Sequence, residues 1–90
     1  MTVTFDPNKN AKNIAERGLS FELVESLEWT SALIKEDTRK HYGEVRLQIL
    51  ALLDDSLYAA VVTPRDRGLR VISFRRANKR EMRLYGEKGG

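Results

Sequence analysis

From Val45 onward the apolar residues fall into a period of two. Val45, Leu47, Ile49, Ala51 and Leu53 share one face, and Arg46 and Gln48 open the other before Leu50 and Leu52 turn it apolar as well. This is the pattern of a strand buried on one side throughout and on both sides toward its end. Asp54-Asp55-Ser56 interrupts it as a turn, residues 57–63 return as a nearly continuous apolar strand, and Pro64-Arg65-Asp66-Arg67-Gly68 makes a second turn. Leu69, Val71, Ile72 and Phe74 are strand formers and complete a three-strand antiparallel meander. Such a sheet needs helices on its apolar face.

Residues 2–5 read as a short first strand. Asp6 suits an N-cap and Pro7 the first helical position, where a missing N–H costs nothing. Ala11, Ile14 and Ala15 form an i, i+3, i+4 stripe expected to face the core, with Lys9, Lys12, Asn13 and Glu16 opposite, and Gly18 ends the helix. Ser20 starts a second helix expected to run to about Trp29, with Phe21, Val24 and Leu27 inward and Glu22, Glu25 and Glu28 outward. Residues 31–35 predict a short strand and residues 36–43 a polar loop. In the last strand Leu69, Val71, Ser73 and Arg75 alternate with Arg70, Ile72 and Phe74. If Ile72 and Phe74 meet the helices, Ser73 and Arg75 look out of an open face. The expected fold is α+β, one domain over residues 1–90: a small antiparallel meander, two N-terminal helices packed on one face, and a basic C-terminal helix. Residues 86–90 are expected to fray.

Charge then points to one end. Residues 64–90 hold nine Lys/Arg against three Asp/Glu, whereas residues 1–63 hold seven against ten. Arg76, Lys79, Arg80 and Arg83 fall at i, i+3, i+4 and i+7 of the expected last helix, with Met82 and Tyr85 placed to hold it to the core. Such a cationic stripe is either a solvated face or a landing site for phosphates or an acidic partner. Absence of cysteine removes disulfides and a thiolate nucleophile, and His41 as sole histidine leaves no ordinary zinc set, so neither metal nor cofactor is expected. No apolar run approaches a membrane span and no leader pattern opens the chain, so a cytoplasmic location is expected.

Two motifs carry a family resemblance. The first is Phe5-Asp6-Pro7-Asn8-Lys9, followed by Asn13 and Gly18-Leu19-Ser20-Phe21. The second is Arg70-Val71-Ile72-Ser73-Phe74-Arg75-Arg76-Ala77-Asn78-Lys79, followed by Glu81 and Tyr85. In this order the chain resembles the BrnT family, small ribonucleases of type II toxin–antitoxin systems; Thr63 and Arg65 match the family's residues at the end of the penultimate strand. The resemblance implies a RelE-like fold, metal-independent mRNA cleavage with translation and growth arrest, and neutralisation by a BrnA-type antitoxin. That antitoxin resembles ribbon-helix-helix proteins, and the complex, expected as a heterotetramer, would bind its promoter DNA. Where the family commonly carries Lys-His before the glycine, this chain has Glu16-Arg17.

RNA supplies its own nucleophile in the 2′-hydroxyl, so cleavage needs a base, an acid and cations around the phosphorane. Arginine suits the last task through its planar, permanently charged fork. The expected catalytic set is Arg65, Arg75 and Arg76 as a phosphate clamp, with Lys9, Glu81 and Tyr85 for proton transfer. Lys12, Asn13, Arg17, Arg70, Ser73, Lys79, Arg80 and Arg83 are the expected RNA-binding residues. Each has a plainer alternative: Arg65 as a turn residue, Arg75 paired to a helix carboxylate such as Glu16, Glu81 paired on its own helix, Tyr85 as a core aromatic, His41 as a solvated loop residue. The competing function is a non-catalytic basic module that binds an acidic antitoxin or nucleic acid.

Overall fold

The computed structural model describes residues 2–88. Its centre is a five-stranded mixed sheet of β1 (Val3–Thr4), β2 (Leu33–Glu36), β3 (Leu47–Leu53), β4 (Ser56–Arg65) and β5 (Gly68–Arg76). The spatial order is β1-β5-β4-β3-β2, antiparallel throughout except for β1, which lies parallel to β5. The meander is therefore as its periodicity predicts, and the first strand joins it at the far edge. Two α-helices flank the sheet, α1 (Pro7–Arg17) and α2 (Lys79–Lys88). Residues 86–88, expected to fray, are helical and continue α2 to Lys88; Gly89 and Gly90 lie outside the described residues.

The expected second N-terminal helix is instead a pair of 3-10 turns, Phe21–Ser26 and Trp29–Ser31. Spacing explains this. Phe21, Val24 and Leu27 recur every three residues, which in a 3-10 turn stacks them on one line and in an α-helix would spread them round the axis. All three are buried against Ile49, Ala51, Ala60, Val62, Val71 and Phe74 on the first sheet face. The Ser20 hydroxyl caps the turn by accepting the Glu22 N–H, and the Trp29 indole N–H donates to the Val24 carbonyl at 3.1 Å.

α1 also departs from expectation. Asp6 caps it and Pro7 occupies its first turn as anticipated, but Ala11, Ile14 and Ala15 are exposed and the helix buries no residue. The docked face is polar. Asn10 accepts the Phe21 N–H at 2.7 Å, Asn13 donates to the carbonyls of Leu19 and Phe74 at 3.0 Å each, and Arg17 reaches the Phe74 carbonyl at 3.5 Å. β1 pairs with β5 only at Leu69 and Arg70, so the outer edge of β5 beyond that point lacks a strand neighbour. Docking by this face supplies donors to that carbonyl and leaves Ala11, Ile14 and Ala15 outward.

A bulge sets the phase of β5. Val61 pairs with Ser73 and Val62 with Val71, leaving Ile72 as the extra residue. Val71 and Phe74, three apart, consequently share the first core, which corrects the simple alternation expected for this strand. Ser73 and Arg75 are turned to the second face, as anticipated for them alone. That face is not bare: Tyr85 of α2 packs with Leu50, Leu57, Ala59 and Ala77, so helical cover is divided between the two faces. Met82, expected beside Tyr85 in the core, is exposed.

Gly68 is where β1 is held. A Cβ there would lie inside van der Waals contact with the Thr2 carbonyl oxygen, the same oxygen that accepts the Leu69 N–H at 3.0 Å. Gly68→Ala is therefore expected to push β1 off the edge and lower stability by about 1–3 kcal/mol in denaturant unfolding. An unchanged midpoint would show that β1 contributes nothing to the sheet.

Candidate functional site: a cationic concavity on the second sheet face

Strands β3, β4 and β5 leave a hollow of about 410 Å³ beside α2 on the second face. Gln48, Ala59, Val61 and Ser73 are among the residues forming its floor, and Lys35, Arg39, Arg75, Arg80 and Glu81 stand round it. Each cation arrives by a different route. Lys35 comes from the edge strand, opposite Gln48 in the register. Arg75 comes from β5 through the phase shift at Ile72, and Arg80 from the first turn of α2.

Arg39 is supplied by the loop between β2 and β3, which is organised round one carboxylate. Asp37 accepts the Arg39 Nε and Nη2 donors at 2.9 Å each, the Arg39 backbone N–H at 3.1 Å and the Tyr42 hydroxyl at 2.9 Å. Its side chain is 2% exposed, and the Arg39 guanidinium holds its carboxyl far below the usual carboxylate range. Arg46 stacks 4.2 Å from the Tyr42 ring centroid, and Thr63 donates to the Val45 carbonyl at 2.6 Å, tying the loop to β4. Nothing in the local sequence distinguishes this loop from a solvated one.

Glu81 connects the hollow to the helix that borders it. Its carboxylate accepts the Asn78 N–H at 2.9 Å while Asn78 Oδ1 accepts the Glu81 N–H at 2.8 Å, a reciprocal cap at the start of α2. The same carboxylate takes both Arg75 Nη groups, at 2.8 and 2.9 Å. Arg75 thereby pulls the Glu81 carboxyl below its ordinary value, and Glu81 raises the guanidinium in turn. Both stay charged at neutral pH. The arginine is not sealed, since 42% of its side chain remains exposed.

A smaller groove of about 190 Å³ runs between α1 and the bulge, lined by Lys9, Lys12, Asn13, Glu16, Arg17, Phe21, Ile72 and Ser73. Ser73 borders both depressions. The fold thus gathers Arg75, Arg80, Ser73 and Glu81 in one hollow and Lys9, Lys12, Asn13 and Arg17 in the groove next to it.

Other expected site residues lie elsewhere. Arg65 pairs with Gly68 at the opposite end of the β4–β5 ladder, six residues along from the partner of Arg75, roughly 20 Å at the usual strand rise, and its guanidinium faces Glu44 at 3.9 Å. The three-arginine clamp does not form. Arg76 ends β5 rather than joining α2, donates to the Ser56 hydroxyl at 3.0 Å and stacks over Tyr58, so the stripe of four helical cations is reduced to Lys79, Arg80 and Arg83. Lys79 and Arg83 are exposed outside the hollow, and Arg70 is half-buried near the β1 end of β5. Tyr85 is buried, its hydroxyl donating to Ser31 Oγ at 3.2 Å. His41 is an exposed loop residue outside the hollow. Missed in the sequence were Lys35, Arg39 and Gln48, which only the strand register and the Asp37 loop bring together.

Among the described residues no group of three or more His, Cys, Asp or Glu is gathered as metal ligands would be, and no helix is long and apolar enough to cross a membrane. A family model described as the ribonuclease toxin, BrnT, of type II toxin–antitoxin systems matches residues 5–81, from Phe5 through Glu81. No curated protein matches the chain.

Glu81→Ala removes one half of the helix cap and the Arg75 pair together, and should cost about 1–2 kcal/mol, with Glu81→Gln retaining part of it. Because the folded carboxyl is shifted down, its contribution is full above the ordinary carboxylate value and disappears as pH falls through the lowered one. Wild type and Glu81→Ala should therefore converge in stability at acid pH; a constant gap from neutral to acid pH would contradict the pairing.

Proposed function

Because the chain belongs to the BrnT family of ribonuclease toxins of type II toxin–antitoxin systems, we propose that the hollow bordered by Arg75 and Arg80 is where it cleaves RNA, as an endoribonuclease that needs no metal. The observation carrying this reading is the convergence of Lys35, Arg39, Arg75 and Arg80 on one open depression, with Arg39 paired to Asp37 and Arg75 to Glu81. The excess of positive charge that remains favours an anion that spans the depression.

In this reading the RNA 2′-oxygen attacks the adjacent phosphorus and the P–O5′ bond breaks, leaving a 2′,3′-cyclic phosphate and a 5′-hydroxyl. Arg75 and Arg80 donate to the non-bridging oxygens, where negative charge grows in the transition state. Glu81, ionised and oriented by its cap, takes the 2′-proton; Arg75 is its partner in the free protein and turns to the phosphate when RNA enters. The 5′-oxygen receives its proton from a lysine ammonium, that of Lys35 on the rim of the depression, Lys9 lying in the groove beyond Ser73. Lys12 and Arg17 then carry the flanking phosphate along the groove beside α1, while Asn13 keeps its amide donors on the Leu19 and Phe74 carbonyls. Arg65, Arg76 and Tyr85 stand outside this arrangement.

The wider proposal follows the family: a RelE-like toxin acting in the cytoplasm, cutting mRNA and so arresting translation and growth. Its partner would be a BrnA-type ribbon-helix-helix antitoxin, forming a heterotetramer on promoter DNA. The alternative of a basic module that binds without cutting is favoured by one fact, that Arg75 already has a carboxylate partner.

Purified protein incubated with RNA in excess chelator separates the two readings, cleavage supporting the enzyme and intact bound RNA the module. Arg75→Ala should lower the cleavage rate by about 10²–10³-fold, the usual cost of one transition-state donor. Binding of a 2′-O-methyl RNA should weaken with salt at a log–log slope of about −1.4, as expected for two single-strand phosphates, the scissile and the flanking one. Full activity of Arg75→Ala would place the chemistry elsewhere.

A further inference from the structure

Two rows of side chains cross the second sheet face from β2 to β5. The register sets Lys35, Gln48, Val61 and Ser73 abreast in one row, and Leu33, Leu50, Ala59 and Arg75 in the next. Gln48 is half-buried in its row, and among the described residues no hydrogen bond engages its amide, which is open to water. The amides of Asn10, Asn13 and Asn78, by contrast, are all used on backbone groups that hold the fold together.

Gln48 also borders two depressions at once. One is the cationic hollow, and the other is an adjoining apolar groove of about 350 Å³ with Leu33, Leu50 and Leu84 in its wall. Leu84 is 41% exposed, so leucine surface is left wet beside an unpaired amide. RNA whose scissile phosphate lies on Arg75 and Arg80 has to put a base within one nucleotide of that point. Gln48 is two strands from Ser73, roughly 10 Å at the usual strand spacing, and the span from a phosphate to the polar edge of its own base is of that order. Outside a duplex a base needs apolar side chains against its ring and matched hydrogen bonds along its edge. The groove offers both.

We propose that this groove is the subsite for the base next to the scissile phosphate, that the base is adenine, and that Gln48 reads it. The Gln48 Oε1 accepts from the adenine N6 amino group and Nε2 donates to N7. A purine covers more of the leucine wall than a pyrimidine does. Of the two purines, guanine shows two acceptors, O6 and N7, on the edge where adenine shows a donor beside an acceptor. The assignment rests on the reading of the hollow as the RNA site. Gln48 touches the base and not the reacting atoms, so it selects where the strand is held and cut.

The test is binding of 2′-O-methyl oligouridine in which one central uridine is kept or replaced by adenine, cytosine or guanine. Wild type should hold the adenine oligonucleotide about tenfold more tightly than the uridine one, within the range of one bidentate contact. Gln48→Leu should bind all four alike to within about twofold. Gln48→Glu, which can only accept, should shift the preference to guanine through its N1 and N2 donors. Both variants should unfold near the wild-type midpoint, and Arg75→Ala should weaken all four oligonucleotides by a common factor. An adenine preference that survives Gln48→Leu overturns the proposal, as does wild-type binding that is indifferent to the base or favours another one. If wild type selects adenine through Gln48 yet cuts no RNA, the base subsite stands and the ribonuclease reading fails. Cleavage that ignores the base, in wild type and Gln48→Leu alike, keeps that reading and removes the subsite.

Discussion

One carboxylate, that of Glu81, ties together parts of the molecule that would otherwise be independent. It closes the N-terminus of α2 with Asn78, and it pins Arg75 of β5 through two bonds. The helix is short and marginal by itself, and Tyr85 is its one buried side chain. The Glu81 contacts fix the direction in which α2 leaves the sheet, and that direction decides whether Arg80 and Leu84 face the second sheet surface. They also hold Arg75 extended against the cost of crowding cations together. Replacing such a carboxylate would alter the shape of the hollow and its potential at once.

The other face of the architecture is governed by what happens at the edge of β5. β1 is only two residues long, so the strand carrying Ser73 and Arg75 would end with an unpartnered carbonyl at Phe74. Asn13 and Arg17 close that gap, which makes α1 a polar patch on a sheet edge rather than a lid over a core. Its lysines are consequently turned along the bulge at Ile72, next to Ser73. The bulge does the rest: without its extra residue, Ser73 and Arg75 would share the face of Val71 and point into the first core. Site and fold depend here on the same irregularity.

The parts legible in the sequence were those set by short-range rules. Period-two runs and Asp/Gly/Pro turns located β3, β4 and β5, and Asp6-Pro7 and Gly18 bounded α1 correctly. The period-three spacing of Phe21, Val24 and Leu27 was also visible and names a 3-10 turn once it is taken literally. Asn78-x-x-Glu81 was likewise a readable capping signature, hidden among its basic neighbours. What escaped the sequence needed distant partners. The inward face of α1 is chosen by a carbonyl 61 residues away, and polar docking inverts the usual inference from an apolar stripe. Lys35 and Arg39 read as ordinary surface charge until the pairing with Gln48 and the Asp37 loop carry them to Arg75.

Arg39 and Arg75 illustrate how a protein this small keeps several guanidinium groups aimed at one space. Each is gripped by a carboxylate, Asp37 or Glu81, that neutralises it locally and removes the freedom of a long side chain. The two grips differ. Asp37 is closed to solvent and accepts from three donor groups, while the Arg39 side chain it holds is 73% exposed. Glu81 is 21% exposed and Arg75 42%, so water and any incoming anion can compete for that pair. A phosphate that takes Arg75 releases Glu81 without undoing the cap from Asn78, since the helix N–H still holds the carboxylate in place. On the proposed reading the exchange turns an internal ion pair into a phosphate contact beside an oriented carboxylate.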